Sequence, residues 1–310
     1  MILDLYDKLS GVLPEENIIK DEDMSRHTTF RVGGPADYFL KIESYDKLKE
    51  VLSLFRKEGL TMQEDYYILG NGSNLLVADG GYRGAIITLG GEFAECSMES
   101  SNVIKAGAAA LNVAVANLAR DNSLTGFEFA HGIPGSIGGA LVMNAGAYGG
   151  EMKQVVKSVT AIDENGSEVI LSLDELELGY RTSIFKKKKY VITGCLIELK
   201  PGDRNEIENT MNELKEKRVS KQPLEYPSAG STFKRPEGYF AGKLIEDAGL
   251  RGYSVGGAQV SEKHCGFVVN KGGATATDVY RLIADVQKKV FESSGVKLSP
   301  EVILLGDFEA

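Results

Sequence analysis

From His131 to Gly149 the chain reads His-Gly-Ile-Pro-Gly-Ser-Ile-Gly-Gly-Ala-Leu-Val-Met-Asn-Ala-Gly-Ala-Tyr-Gly, and no other stretch constrains its fold as tightly. A linker this rich in glycine would be polar and mobile. Ile133, Ile137, Leu141, Val142 and Met143 are too apolar for that. The segment is therefore expected to be ordered and packed, its glycines serving close approach to another group. A second glycine loop, Leu-Gly-Asn-Gly-Ser-Asn-Leu-Leu-Val at Leu69 to Val77, lies about sixty residues earlier. Bare backbone N–H groups in such loops suit phosphate oxygens. Two of them suggest a long ligand with a pyrophosphate in its middle, a dinucleotide. The first loop is not a Rossmann fingerprint: Gly70 and Gly72 fit, but the third glycine position is Leu75.

Length and charge narrow the field. The 310 residues allow two or three domains. A net charge of −9 argues against nucleic acid and anionic membrane as partners. Cys96, Cys195 and Cys265 are widely spaced and form no pair or Cys/His cluster, so neither a disulfide framework nor a metal site is expected. The N-terminus carries acids where a signal peptide needs bases, and no apolar run reaches membrane-spanning length. The expectation is a cytoplasmic protein.

The hydrophobic pattern predicts a mixed α+β chain in three regions. Residues 1–90 hold a short amphipathic helix over 1–20 (Leu3, Leu5, Leu9 and Val12 apolar), a strand at Asp37–Ile42, a helix at Ser44–Glu58 stopped by Gly59, and strands at Tyr66–Leu69 and Ala85–Leu89. Residues 91–200 hold a helix at Leu111–Asn122, then a hairpin of Val155–Ile162 and Glu168–Leu171 turning at Asn165-Gly166, then a strand at Tyr190–Leu199. Pro201-Gly202 opens a third region, 201–310. There Asp203 and Glu206 resemble a capping box, and Ile207, Met211 and Leu214 mark a helix. Tyr239–Ala248 is a short helix and Phe267–Asn270 a strand. Thr277 is expected to cap a long helix closed by Gly295, with Val279, Leu282, Ile283, Val286 and Val290 as its core stripe. A last strand, Glu301–Leu305, either stays in this region or returns to the first.

Both glycine loops, with Asn-Ala-Gly-Ala-Tyr-Gly at 144 to 149, resemble the flavin-binding stretches of the UDP-N-acetylenolpyruvoylglucosamine reductase family. Four further stretches agree, in the family's order: His-Thr-Thr-Phe-Arg-Val-Gly-Gly (27–34), Gly-Tyr-Arg-Thr-Ser-Ile-Phe (179–185), Ala-Gly-Ser-Thr-Phe-Lys-Arg-Pro (229–236) and Leu-Ser-Pro-Glu-Val (298–302). The resemblance implies a two-subdomain FAD-binding fold of the vanillyl-alcohol-oxidase (PCMH) type. Residues 1–90 and 91–200 would form the subdomains, and 201–310 a substrate domain. It also implies an activity: NADPH reduces non-covalent FAD, which reduces the enolpyruvyl double bond of UDP-N-acetylglucosamine enolpyruvate. The alternative is another FAD oxidoreductase of this fold, acting on a sugar or an alcohol.

The resemblance assigns roles that spacing does not. Cofactor-binding positions are Gly70, Asn71, Gly72, Ser73, Asn74 and Leu75, then Gly132, Ile133, Pro134, Gly135, Ser136, Gly138 and Gly139, with Asn144 and Gly146. Ser231 matches the proton donor, Arg181 the arginine that stabilises charge growing on the substrate carboxylate, and Glu301 the acid that polarises the substrate. Lys234 and Arg235 are expected to hold the UDP diphosphate, the bland reading being an exposed pair. Lys186 to Lys189 reads as a solvated turn or, less simply, as a phosphate or NADPH contact. Only 49 residues lie between Arg181 and Ser231, with no room for the longer family type's insertion and its substrate-closing tyrosine; Tyr226, Tyr239 and Tyr253 are the candidates to replace it.

Overall fold

The computed structural model describes residues 5–308, so Leu3 of the expected first helix lies outside the described residues. The chain gathers into two compact units. The first is built from residues up to 20, 38–70 and 84–218; the second from 21–37, 71–83 and 219 onward.

The first unit has two hydrophobic cores. Helix α1 (Leu5–Ser10) ends well short of residue 20. Gly11 and Pro14 follow it, Pro14 caps a single 3-10 turn, and a strand begins at Ile18. Helix α2 (Tyr45–Lys57) starts where Ser44 accepts the Lys47 N–H (3.4 Å) and stops before Gly59, whose φ of 73° is left-handed. It buries Leu48, Val51, Leu52 and Phe55, each worth about 1.5–3 kcal/mol of removed apolar surface. They pack with Leu40, Ile42 and Ile87 of a sheet whose strands run Ile18–Asp23, Pro35–Ile42, Tyr82–Leu89 and Tyr66–Leu69 in spatial order. The last two strands are parallel, Tyr66 opposite Ala85.

The second core lies on a five-stranded sheet in the order Glu168–Ser172, Val156–Ile162, Val191–Glu198, Val103–Gly107, Cys96–Ser100, antiparallel throughout. Helices α3 (Asn112–Asp121) and α4 (Ile137–Val142) pack on it. The expected hairpin is present, but its turn is not the two-residue kind. Five residues connect the strands, Asp163 accepts the N–H groups of Asn165 and Ser167 (2.9 and 2.8 Å), and of the Asn-Gly pair only Gly166 takes a positive φ (83°). Helix α5 (Arg204–Lys221) follows, Asp203 accepting the N–H groups of Asn205 and Glu206.

The second unit is centred on helix α7 (Ala276–Ser294), with the shorter α6 (Ala241–Asp247) and the meander Ser254–Val255, Ala258–Val260, Val268–Asn270. Thr275, not Thr277, caps α7. Thr275 and Asp278 form a reciprocal capping box (both bonds 3.0 Å), which satisfies two backbone donors where a lone Thr277 would satisfy one. The Asp79 carboxylate takes the next two donors, from Ala276 (2.7 Å) and Thr277 (2.8 Å). Ile303–Leu305 pairs in parallel with Leu75–Val77, the end of the first glycine loop.

Candidate active site

The expected site residues fall into a cluster in each unit. In the first unit the two glycine stretches meet. A methyl group on Gly70 would stand 2.9 Å from the Ser136 hydroxyl, so any side chain here would make Ser136 shift. Ser136 is buried and caps α4 through the Gly139 N–H (3.5 Å). This six-residue helix escaped the sequence reading because two glycines occupy its first turn. Gly138 lies against Ala108, its N–H bonded to the Ala108 carbonyl (2.8 Å). Gly132 lies against the Arg218 guanidinium, 3.2 Å from where its Cβ would be. Burial first, then Lys215, Arg120 and Arg218, hold the adjacent His131 below the usual histidine range. Positive charge thus surrounds a stretch that has no acidic residue of its own.

The far end of the same stretch fixes Arg181. Asn144, 1% exposed and at φ 42°, donates to the Gly179 carbonyl and to Glu151 (3.1 Å each) and accepts the Lys153 N–H (2.9 Å). Gly179 and Thr182 bond each other's backbone across a tight turn, with Arg181 at φ 55°. Ser183, fully buried, donates to the Val142 carbonyl (2.8 Å), and Lys186 Nζ donates to the Arg181 carbonyl (3.0 Å). The rest of the lysine run is paired: Lys187 with Glu177, Lys188 with the Tyr190 hydroxyl (3.3 Å), Lys189 with Glu64 (3.9 Å).

In the second unit a ladder of hydrogen bonds links the first glycine loop to the candidate acid and serine. Gly72 (φ 60°) lies so close to His27 that a Cβ would sit 1.9 Å from its carbonyl oxygen, and the Gly72 carbonyl accepts the Thr29 N–H (3.1 Å). This is the structural work of the His-Thr-Thr motif. Asn74 donates through Nδ2 to the Glu301 carbonyl (3.1 Å), and Ile303 N–H donates to the Asn74 carbonyl (3.0 Å). Glu301 N–H donates to the Thr232 carbonyl (2.8 Å), while Thr232 N–H donates to the Gly266 carbonyl (2.8 Å). Thr232 is fully buried and its hydroxyl accepts the Val268 N–H (2.9 Å). Ser231 precedes this anchor, half-buried beside Gly266. Lys234 is tied by its backbone to Ser299 (2.9 Å). Arg235 stacks its guanidinium 3.9 Å over Phe240 and donates to the Tyr239 carbonyl (3.3 Å).

Of the three tyrosines, Tyr253 donates to Asp285 (2.7 Å) and packs against the core of α7. Tyr226 accepts from Lys271 (2.8 Å) at the rim of a cleft of about 340 Å³, and Tyr239 is exposed. The sequence reading missed Asn112, Thr232 and His264. Asn112 is 1% exposed. Its backbone N–H donates to the Gly135 carbonyl (3.1 Å) and its side chain to the Ile133 carbonyl (3.3 Å), leaving Oδ1 without a partner.

Residues 36–172 match the FAD binding domain family and residues 222–305 the C-terminal domain of UDP-N-acetylenolpyruvoylglucosamine reductase. Fold and site together define an FAD-dependent oxidoreductase: an α+β FAD-binding fold and a further α+β domain. The chain is 51% identical over 307 residues to the UDP-N-acetylenolpyruvoylglucosamine reductase of Agathobacter rectalis, covering 96% of each chain. To that of Clostridium perfringens it is 52% identical over 304 residues, covering 98% of each. The crystal structure of the reductase (MurB) from Thermus caldophilus superposes with a TM-score of 0.81 at 33% identity, covering 93% of this chain and all of that one. The chain belongs to the UDP-N-acetylenolpyruvoylglucosamine reductase family.

The residues present fit FAD. At Gly70, where the loops meet, no side chain projects from the first loop and a flat ligand can approach its backbone. Neither 69–77 nor 131–146 contains an acid, which suits a diphosphate. The unpartnered Oδ1 of Asn112 beside the second loop is an acceptor of the kind that sugar hydroxyls satisfy. Among the described residues no helix is long and apolar enough to cross a membrane.

Proposed function

We propose that this chain reduces the enolpyruvyl ether of UDP-N-acetylglucosamine enolpyruvate to the lactyl ether of UDP-N-acetylmuramate, for peptidoglycan synthesis in the cytoplasm, with NADPH as reductant. FAD, when bound, supplies the hydride that reaches one carbon of the double bond. The neighbouring carbon, beside the carboxylate, then takes a proton. Ser231 gives that proton from its hydroxyl. A hydroxyl is a weak acid, so it serves only if the acceptor is strongly basic and the serine is held in place. Thr232 provides the hold, bonded at its N–H, carbonyl and hydroxyl.

Arg181 faces the substrate carboxylate, where charge grows during reduction, and its planar fork suits a carboxylate. Glu301 polarises the reacting carbons. Lys234 and Arg235 take the diphosphate, Arg235 presented by its stack on Phe240. Gly70, Asn71, Gly72, Ser73, Asn74, Leu75 and the 132–139 stretch hold FAD through backbone and small polar groups. Asn144 supports this indirectly, since both its amide hydrogens are committed to Glu151 and the Arg181 turn.

One observation supports the reading: an unbroken ladder of hydrogen bonds runs from Asn74 in the first glycine loop through the backbone of Glu301 to Thr232, the neighbour of Ser231. The test is spectral. The purified protein should be yellow, bleach anaerobically with NADPH, and regain its colour when the enolpyruvyl UDP-sugar is added. A protein that takes up FAD but is bleached by a plain sugar or alcohol, and whose reduced flavin does not regain colour with the enolpyruvyl UDP-sugar, would refute this assignment.

A further inference from the structure

Half-buried, His264 sits beside Gly266, and no step above uses it. Its ring crowds two glycines. A methyl on Gly266 would stand 2.9 Å from His264 Cε1 and 3.1 Å from Nδ1, and one on Gly242 would stand 3.2 Å from Cε1. The same Gly266 methyl would stand 3.6 Å from the Ser231 hydroxyl, so ring and hydroxyl flank one glycine. The residue is fixed on every side: Ser261 Oγ accepts its N–H (3.2 Å), its carbonyl accepts the Phe267 N–H (3.0 Å), and its ring packs edge-on against Phe267 at 5.0 Å.

The chemistry lies in one hydrogen bond. Gly266 N–H donates to His264 Nδ1 (3.0 Å), so Nδ1 carries a lone pair and the neutral ring carries its proton on Nε2. The carbonyl of that same Gly266 accepts the Thr232 N–H. We propose that His264 is a positioning residue for the proton-donating hydroxyl: its Nδ1 holds the N–H on one side of the Gly266 Cα, the carbonyl on the other side anchors Thr232, and Thr232 in turn holds Ser231. Burial, reinforced by Arg251, holds His264 below the usual histidine range and keeps Nδ1 able to accept. The inference rests on the reading of Ser231 as proton donor. It adds a requirement that reading does not contain, namely an acceptor at the Nδ1 position and nowhere else on the side chain.

Asparagine and glutamine separate these cases. Asn Oδ1 stands close to the place of Nδ1; Gln Oε1 reaches toward the place of Nε2. The experiment compares wild-type holoenzyme with H264N, H264Q, H264A and S231A, following anaerobic bleaching by NADPH and recovery of colour with the enolpyruvyl UDP-sugar. Bleaching should be unchanged in every variant. Recovery should slow about 10- to 100-fold in H264A and H264Q, the range for a catalytic group displaced by about an ångström, with the sugar's half-saturating concentration unchanged. H264N should restore most of the rate. A second readout needs no turnover: the Gly266 amide should exchange with solvent faster in H264A and H264Q than in wild type or H264N. Recovery at the wild-type rate in H264Q, or equal slowing of bleaching and recovery, overturns the proposal. Should S231A recover colour normally, the proton-donor reading fails by itself, and unchanged Gly266 exchange in H264Q would separately refute the role given to Nδ1.

Discussion

Gly70→Ala tests the meeting of the two glycine loops with a single methyl group. The added carbon would lie 2.9 Å from Ser136 Oγ, a separation that forces a shift. Gly70 is not among the residues with positive φ, so alanine brings no backbone strain and gains about 0.4–1 kcal/mol by restricting the unfolded chain. Against this, Ser136 must turn or retreat and its cap on the Gly139 N–H is lost, a cost of about 1 kcal/mol. Net stability should therefore change by less than about 1 kcal/mol, a few degrees in melting temperature for units of this size. Affinity for FAD should change more, because the methyl fills the space between the loops. A tenfold or greater rise in the FAD dissociation constant, at least about 1.4 kcal/mol, is expected. The assay is fluorescence titration of apoprotein with FAD beside a thermal melt, in G70A, S136A and G70A/S136A. Removing the Ser136 hydroxyl relieves the clash, so the double variant should bind FAD more tightly than the two single effects sum to, by about 0.5–3 kcal/mol. Wild-type affinity in G70A, or purely additive losses, would refute the reasoning.

Asp79→Asn removes the carboxylate that takes two donors at the start of α7, and should cost about 1–3 kcal/mol in urea unfolding at neutral pH. Burial alone would raise the Asp79 pKa, but the bonds from Thr275, Ala276 and Thr277 outweigh it and hold the carboxyl below 3.8. A lowered folded pKa gives stability that is complete above the unfolded value and lost as pH falls through the folded one, so the gap between wild type and D79N should close below about pH 4. Gly72→Ala places a methyl 1.9 Å from the His27 carbonyl and demands a left-handed alanine, which alone costs about 1–2 kcal/mol. Circular dichroism melts should show a loss well beyond that of G70A.

How far the sequence could be read depended on the range of the interaction. The stripe of α7 repeats at the helical period, Tyr66–Leu69 is a short unbroken apolar run, and Gly59 and Gly295 end helices by a conformation local to themselves. Helix α4 stayed hidden because its glycines are poor helix formers; packing against Ala108 and the Ser136 cap override that preference. Thr277 lies inside the first turn instead of capping it, because Thr275 and Asp278 satisfy each other's backbone donors two residues earlier. The glycine loops were legible as close-approach sites. What they approach was not, since Gly70 meets Ser136 sixty-six positions away and Gly72 meets His27 forty-five away. Asn74 and Asn144 are read from the motifs as ligands of the cofactor, yet their amides also bind Glu301 and the Arg181 turn. Bonds across such separations leave no local pattern. His264 lies outside every motif that drew attention, although the glycines at 242 and 266 mark the space its ring occupies.

The origin of the substrate's proton is decided by Ser231→Ala in one stopped-flow trace. After full anaerobic bleaching by NADPH at the wild-type rate, mixing S231A with the enolpyruvyl UDP-sugar should return colour at least about 10²-fold more slowly than wild type. Return of colour at an undiminished rate would contradict the role of Ser231 as proton donor.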